Sequence, residues 1–123
     1  MAEQSRLFQA GPDPFGRMWK VQFRWLQNGI TIRHADTIDV KFFVTPDGGD
    51  TEEKVVALPH PDLLDFCARK GLKLTDPLCM KIAGRHLRHM IETFEDIDKT
   101  LVTTKPEEIA AAYDGETRGV TVP

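Results

Sequence analysis

Serine occurs once in this chain, at Ser5, and cysteine twice, at Cys67 and Cys79. A Gly-x-Ser-x-Gly elbow is missing, so hydrolysis through a serine nucleophile has no anchor. The cysteines lack Cys-x-x-Cys spacing, which removes a paired redox motif and a thiolate metal knuckle. Both sit in apolar patterns, where a thiol is inert by default, and buried free thiols point to a reducing compartment. No dinucleotide fingerprint is present, and Gly48-Gly49 carries no Gly-Lys-Ser or Gly-Lys-Thr to cradle a phosphate. No segment approaches the ~20 apolar residues of a membrane span, and the first fourteen residues hold no signal-type apolar run, so no membrane partner and a cytoplasmic location are expected. Basic excess is missing too: 16 Lys and Arg stand against 19 Asp and Glu, a net charge of -3 that counts against a general nucleic-acid binder. These absences weigh against an enzyme, and nothing in them calls for a cofactor.

What is present begins with alternation. Trp19, Val21, Phe23 and Trp25 share one side of a strand over about residues 17–27. Ile30, Ile32, Ile38, Val40, Phe42 and Val44 share one side of a second over about 30–44. Asn28-Gly29 between them suits a two-residue type I′ turn. Such a turn would set Trp25 opposite Ile32, Phe23 opposite His34, Val21 opposite Asp36 and Trp19 opposite Ile38. Composition makes 45–50 a turn and 54–58 a returning third strand. Pro61 opens a helix over about 61–70 that closes at Gly71. Asp76-Pro77 opens the longest, about 77–99, whose stripe of Met80, Ala83, Leu87, Met90, Phe94, Ile97 and Leu101 keeps steps of three and four. Thr104 with Glu107 has capping-box spacing before a last helix over about 105–114.

The expected architecture is therefore α+β: a three-stranded antiparallel meander covered on one face by helices. It occupies one domain over 15–115, between a flexible segment 1–14 and a loosely held tail 116–123. No internal repeat or low-complexity stretch interrupts it.

Three groups are candidate sites. His34 and Asp36, set with Phe23 and Trp25 on the inner face, would form a polar pair in an aromatic wall, suited to general base chemistry or a polar ligand. A bulge over Arg33 to Thr37 would instead turn that pair to water. His86, His89 and Glu92 recur every third residue on the long helix and could ligate a metal, although steps of three drift around the helix and match no established metal pattern. Lys81, Arg85 and Arg88 crowd the helix's first half while Glu92, Glu95, Asp96 and Asp98 crowd its second, the reverse of what the macrodipole prefers. A two-fold dimer, or an acidic or phosphorylated partner on the three cations, would answer that charge order.

On the outward face Lys20, Gln22 and Arg24 accompany Thr31, Arg33 and Thr37, and residues 17–44 carry five basic and two acidic side chains. RNA-binding sheets also expose aromatic rings, whereas the alternation commits Trp19, Phe23 and Trp25 to the core. The sequence thus points to an interaction or small-ligand-binding module, expected to be a homodimer without catalytic machinery. The rival is a small enzyme or metal-binding protein using His34 with Asp36, or His86, His89 and Glu92.

Overall fold

In the computed structural model the described residues are 7–29 and 36–121. They form strands β1 Leu7–Ala10, β2 Trp19–Gly29, β3 Thr37–Pro46, β4 Glu52–Pro59 and β5 Leu101–Thr103. Three helices accompany them, α1 His60–Lys70, α2 Asp76–Thr93 and α3 Pro106–Thr121. The strands make one sheet in chain order, antiparallel from β1 to β4 and parallel between β4 and β5. The α+β class and the central meander hold, but the sheet has five strands rather than three and includes a parallel pair. Among the described residues no helix is long and apolar enough to cross a membrane.

β1 lies in the segment read from sequence as flexible. It pairs Phe8 with Val21 and Ala10 with Trp19, putting both apolar side chains over the inner face of β2. Four residues are too few for alternation to register. The link from β1 to β2 is wound around Asp13, whose carboxylate accepts from the Phe15 and Arg17 amides at 2.9 Å each, the Trp19 indole at 3.0 Å and Arg17 Nε at 3.1 Å. At Gly11, φ is +116° and a Cβ would stand 2.9 Å from the Arg17 carbonyl, so this turn requires glycine.

The expected turn at Asn28-Gly29 does not form. β2 continues through Gly29, which pairs with Thr37, so the connection to β3 spans residues 30–36. Ile30, Ile32 and His34 lie outside the described residues, and the strand expected over 30–44 is β3, Thr37–Pro46. Trp19 faces Pro46 instead of Ile38, a slip of eight positions. An even slip keeps every side chain on its own side, which is why a period of two could not distinguish the registers. The observed one sets Val21 against Val44 and Phe23 against Phe42, the two phenyl rings edge to face at 6.1 Å.

A bulge follows. Phe23 pairs with Phe42 but Trp25 pairs with Lys41, leaving Arg24 as the extra residue. An extra residue inverts the alternation beyond it. Trp25 therefore points away from the core, and Leu26, opposite Val40, takes the inward place. The inward assignment of Trp25 is corrected on this ground.

The helices cover one face. Leu63 and Phe66 of α1, Ile82, Leu87 and Ile91 of α2, and Ile109 of α3 join Val21, Val40, Phe42, Val56 and Leu58 in a single core. α1 closes at Gly71 (φ +68°), with the Leu72 amide donating to the Cys67 carbonyl at 2.9 Å. α2 is capped by Thr75 rather than Asp76, its hydroxyl accepting from the Leu78 amide at 3.2 Å. In front of α3 the reciprocal bond runs from the Lys105 amide to Glu108 at 2.8 Å, while Thr104 is spent on the Ala57 carbonyl beside β5. α3 continues to Thr121, through most of the stretch read as a tail.

α2 ends at Thr93, six residues short of the expectation. Phe94 and Asp96 have left-handed backbones (φ 63° and 57°), and the Thr93 hydroxyl donates back to the His89 carbonyl at 2.7 Å. The apolar stripe ran on because the following turn supplies Phe94 and Ile97 to the same core side and β5 supplies Leu101, which is exposed. Lys54, only 2% exposed, holds this turn to β4, its ammonium donating to the Ile97 carbonyl at 2.6 Å and the Lys99 carbonyl at 3.0 Å.

Candidate functional site

The five-stranded sheet has a second face that no helix covers among the described residues. From the strand registers it carries Leu7 and Gln9 on β1, Lys20, Gln22, Arg24, Trp25 and Gln27 on β2, and Asp39, Lys41, Phe43 and Thr45 on β3. Glu53, Val55 and Ala57 continue it on β4, then Leu101 and Thr103 on β5. Its centre is a ladder of alternating cations and rings. The Arg24 guanidinium stands 4.9 Å from the Phe43 ring centre, and Lys41 Nζ stands 5.8 Å from Phe43 and 5.3 Å from Trp25. Each such contact contributes about 0.5–1 kcal/mol at an exposed site, so the ladder is held in place without being sealed from water. Lys41 also bridges Glu53 at 2.8 Å. Arg24 and Lys20 are exposed, Phe43 is half-buried, and Trp25 keeps 36% of its surface open.

Of the inner-wall residues proposed from sequence, Phe23 packs on Phe42 inside, Trp25 is outside, and Asp36 is exposed just ahead of β3, its carbonyl accepting from the His60 amide at 2.8 Å. His34 lies outside the described residues. The cations of α2 serve the chain itself. Arg85 donates to the Tyr113 carbonyl at 2.8 Å, Arg88 donates to the Gln9 carbonyl at 3.1 Å and lies over Phe8, and Lys81 lies over the Tyr113 ring. Burial, then the neighbouring Arg88, lowers the Arg85 pKa. The helix's acidic half largely disappears with the correction of its end, since Glu95, Asp96 and Asp98 belong to the turn.

His86, His89 and Glu92 do not form a metal-holding group. His86 is 5% exposed, and burial pushes its pKa below the ordinary 6.5. His89 stands outside, 6.3 Å from the His86 ring centre and 3.6 Å from Glu95 rather than Glu92. Among the described residues no group of three or more His, Cys, Asp or Glu is arranged to hold a metal ion.

An open cleft of about 450 Å³ lies elsewhere, floored by Trp19, Pro46, Phe94 and Ile97 and rimmed by Arg17, Asp50, Glu52 and Asp98. Its lining includes no histidine, cysteine, serine or lysine, so it offers carboxylates but no nucleophile with a base. Asp13 behind it is a structural anion: burial would raise its pKa, but the bonds from Trp19, Arg17 and Phe15 outweigh that and bring it down to about 2. Cys67 and Cys79 are both free and buried, and burial raises both thiols, Cys79 to about 11, so neither is a thiolate at neutral pH.

Two residues of the ladder escaped the sequence pattern. Phe43 was visible as an aromatic out of phase with Val40, Phe42 and Val44, on the side reserved for polar groups. Trp25 was hidden by the bulge, whose one trace in sequence is apolar Leu26 directly after it. No protein-family model matches the chain, and no curated protein or solved structure matches it.

Proposed function

We propose that the protein is a binding module whose working surface is the open face of the sheet. The observation that carries this reading is the bulge at Arg24, which brings Trp25 out to Lys41, the same lysine that with Arg24 lies over Phe43. A tryptophan is the costliest side chain to leave in water, and a strand that kept its alternation would have buried it. Inserting a residue to expose it, beside a lysine that lies over its ring, is the pattern of a recognition surface. The alternative site in α2 has its cations engaged within the chain, one histidine buried and the other outside. The charge argument for a homodimer across that helix falls with the helix's earlier end. Two buried free thiols fit a reducing, cytoplasmic setting.

The test is a two-dimensional amide and indole NMR titration of the full chain with three titrants: a single-stranded oligonucleotide, an acidic peptide, and the protein itself by raising its concentration. The expected result is a set of shifts confined to Lys20, Gln22, Trp25, Lys41 and Phe43 with at least one titrant. No shifts on this face with any of them, or shifts gathered at the cleft around Trp19 and Phe94, would overturn it.

A further inference from the structure

We propose that the occupant of the open face is single-stranded nucleic acid, its bases stacking on Trp25 and Phe43 and its phosphates meeting Lys20, Arg24 and Lys41; this rests on the reading of that face as the working surface. The expectation against nucleic acid depended on Trp19, Phe23 and Trp25 being committed to the core; Trp19 and Phe23 stay inside, the bulge removes that ground for Trp25, and Phe43 adds a second ring on the outward side of β3. The two rings share Lys41 between them, with its Nζ within 6 Å of both centres, and Arg24 caps the far ring. Rings and cations interleaved on an exposed sheet are what base stacking with phosphate neutralisation needs, because every base has a π-face and every link a charge. A peptide is less well served. Extended peptides add to a sheet edge, and helical ones seat in a groove, whereas this surface is the flat middle of a sheet.

The charges set what kind of binder this is. Three cations on the face stand against Asp39 and Glu53, and the whole chain carries -3, so long-range attraction does not hold a polyanion here. Stacking has to supply most of the affinity. Neutralising three phosphates of a single strand gives a slope of log affinity on log salt of about -2, shallow beside that of a binder held by charge. Duplex, whose bases are already stacked and paired, has nothing to offer the two rings.

The experiment is fluorescence anisotropy of a labelled oligouridine of about twelve nucleotides with the full chain at about 50 mM salt. Saturable binding, a salt slope near -2, weak binding to duplex of equal length, a loss of roughly tenfold or more in Trp25→Ala and retention in Trp25→Phe are expected. Each variant's fold is checked by its circular dichroism. No saturable binding at about 100 μM protein overturns the proposal, as does a Trp25→Ala variant that binds like the parent. If the acidic peptide or self-association shifts the open face in the NMR titration while the oligonucleotide does not, the nucleic-acid assignment fails and the working surface stands. If nothing shifts it, both fail.

Discussion

Replacing Trp25 by threonine discriminates between two conformations of the same strand. Were β2 regular, Trp25 would lie in the core, and its loss would cost about 3–5 kcal/mol. With the bulge, the indole lies outside the core, 36% exposed, and its defined partner is Lys41 at 5.3 Å, so the substitution removes about 0.5–1 kcal/mol of cation–ring attraction and part of the packing of its covered surface, less than a core indole would lose. Threonine suits a strand, so the backbone loses nothing. Leu26→Ala is the counterpart. Leu26 is partly buried against the core, which places its cost at about 1–2 kcal/mol, below the 2–5 of a fully buried leucine. For a chain of 123 residues the unfolding entropy near the midpoint is about 0.26 kcal/mol/K, so 1 kcal/mol corresponds to about 4 °C. Thermal unfolding followed by circular dichroism should therefore show Trp25→Thr lowered by less than about 12 °C and Leu26→Ala lowered by about 4–8 °C. The threonine variant also retains only Trp19, which is buried, so its emission should move to the blue and resist acrylamide. A fall of about 12 °C or more in Trp25→Thr with no change in Leu26→Ala would refute the bulge.

Lys54→Met keeps most of the aliphatic stem and removes the ammonium that ties Ile97 and Lys99 to β4, and two lost charge-assisted bonds should cost about 2–4 kcal/mol in urea unfolding and speed amide exchange over residues 95–100. Gly84→Ala in α2 should stabilise by about 0.5–1 kcal/mol, because the added methyl meets the Phe8 ring at an ordinary 3.6 Å and mid-helix glycine is disfavoured; a loss of stability there would mean that α2 and β1 pack closer than described. Burial holds His86 below 6.5, so the unfolded chain takes up that proton first: stability is complete above about 6.5 and declines as pH falls beneath it, by at most about 1.4 kcal/mol per pH unit until the folded histidine also protonates. Glu108, Glu95 and Asp96 limit the effect and His89 adds to it, and in His86→Gln the pH dependence between 7 and 5.5 should flatten.

The fold class, the central antiparallel pairs and the helix starts at 60 and 76 were legible because each has a local cause: alternation, proline near a first turn, glycine at a close. What was not legible depends on distant partners. The slip of eight positions between β2 and β3 up to Phe23 leaves both faces unchanged there, so hydrophobic pattern carries no information about it. The end of α2 is set by Phe94 turning left-handed while Lys54, some forty residues earlier, collects the carbonyls that follow. Leu101 matched a helical stripe by coincidence of spacing, and its side chain is exposed on β5. Charge order misled for the same reason, since carboxylates counted on a helix belong to a turn.

The bulge joins the fold to the proposed function. Alternation is a rule for burying apolar side chains, and a strand that obeyed it from Trp19 to Trp25 would leave the outer face to Lys20, Gln22 and Arg24, a polar surface with no preference for any partner. One additional residue changes two things at once. Leu26 fills the core place opposite Val40, so the interior keeps its packing, and Trp25 is released to lie beside Lys41. The core therefore loses little by the exchange, which allows a large ring to stand outside at small cost in stability. Phe43, out of phase with its own strand, completes the surface from the other side of the pair. Deleting Arg24 should undo both changes together: Trp25 would turn inward, Leu26 outward, and oligouridine binding would fall with the exposed indole. A deletion variant that folds and still binds through an exposed Trp25 would separate the bulge from the surface and remove the link between them.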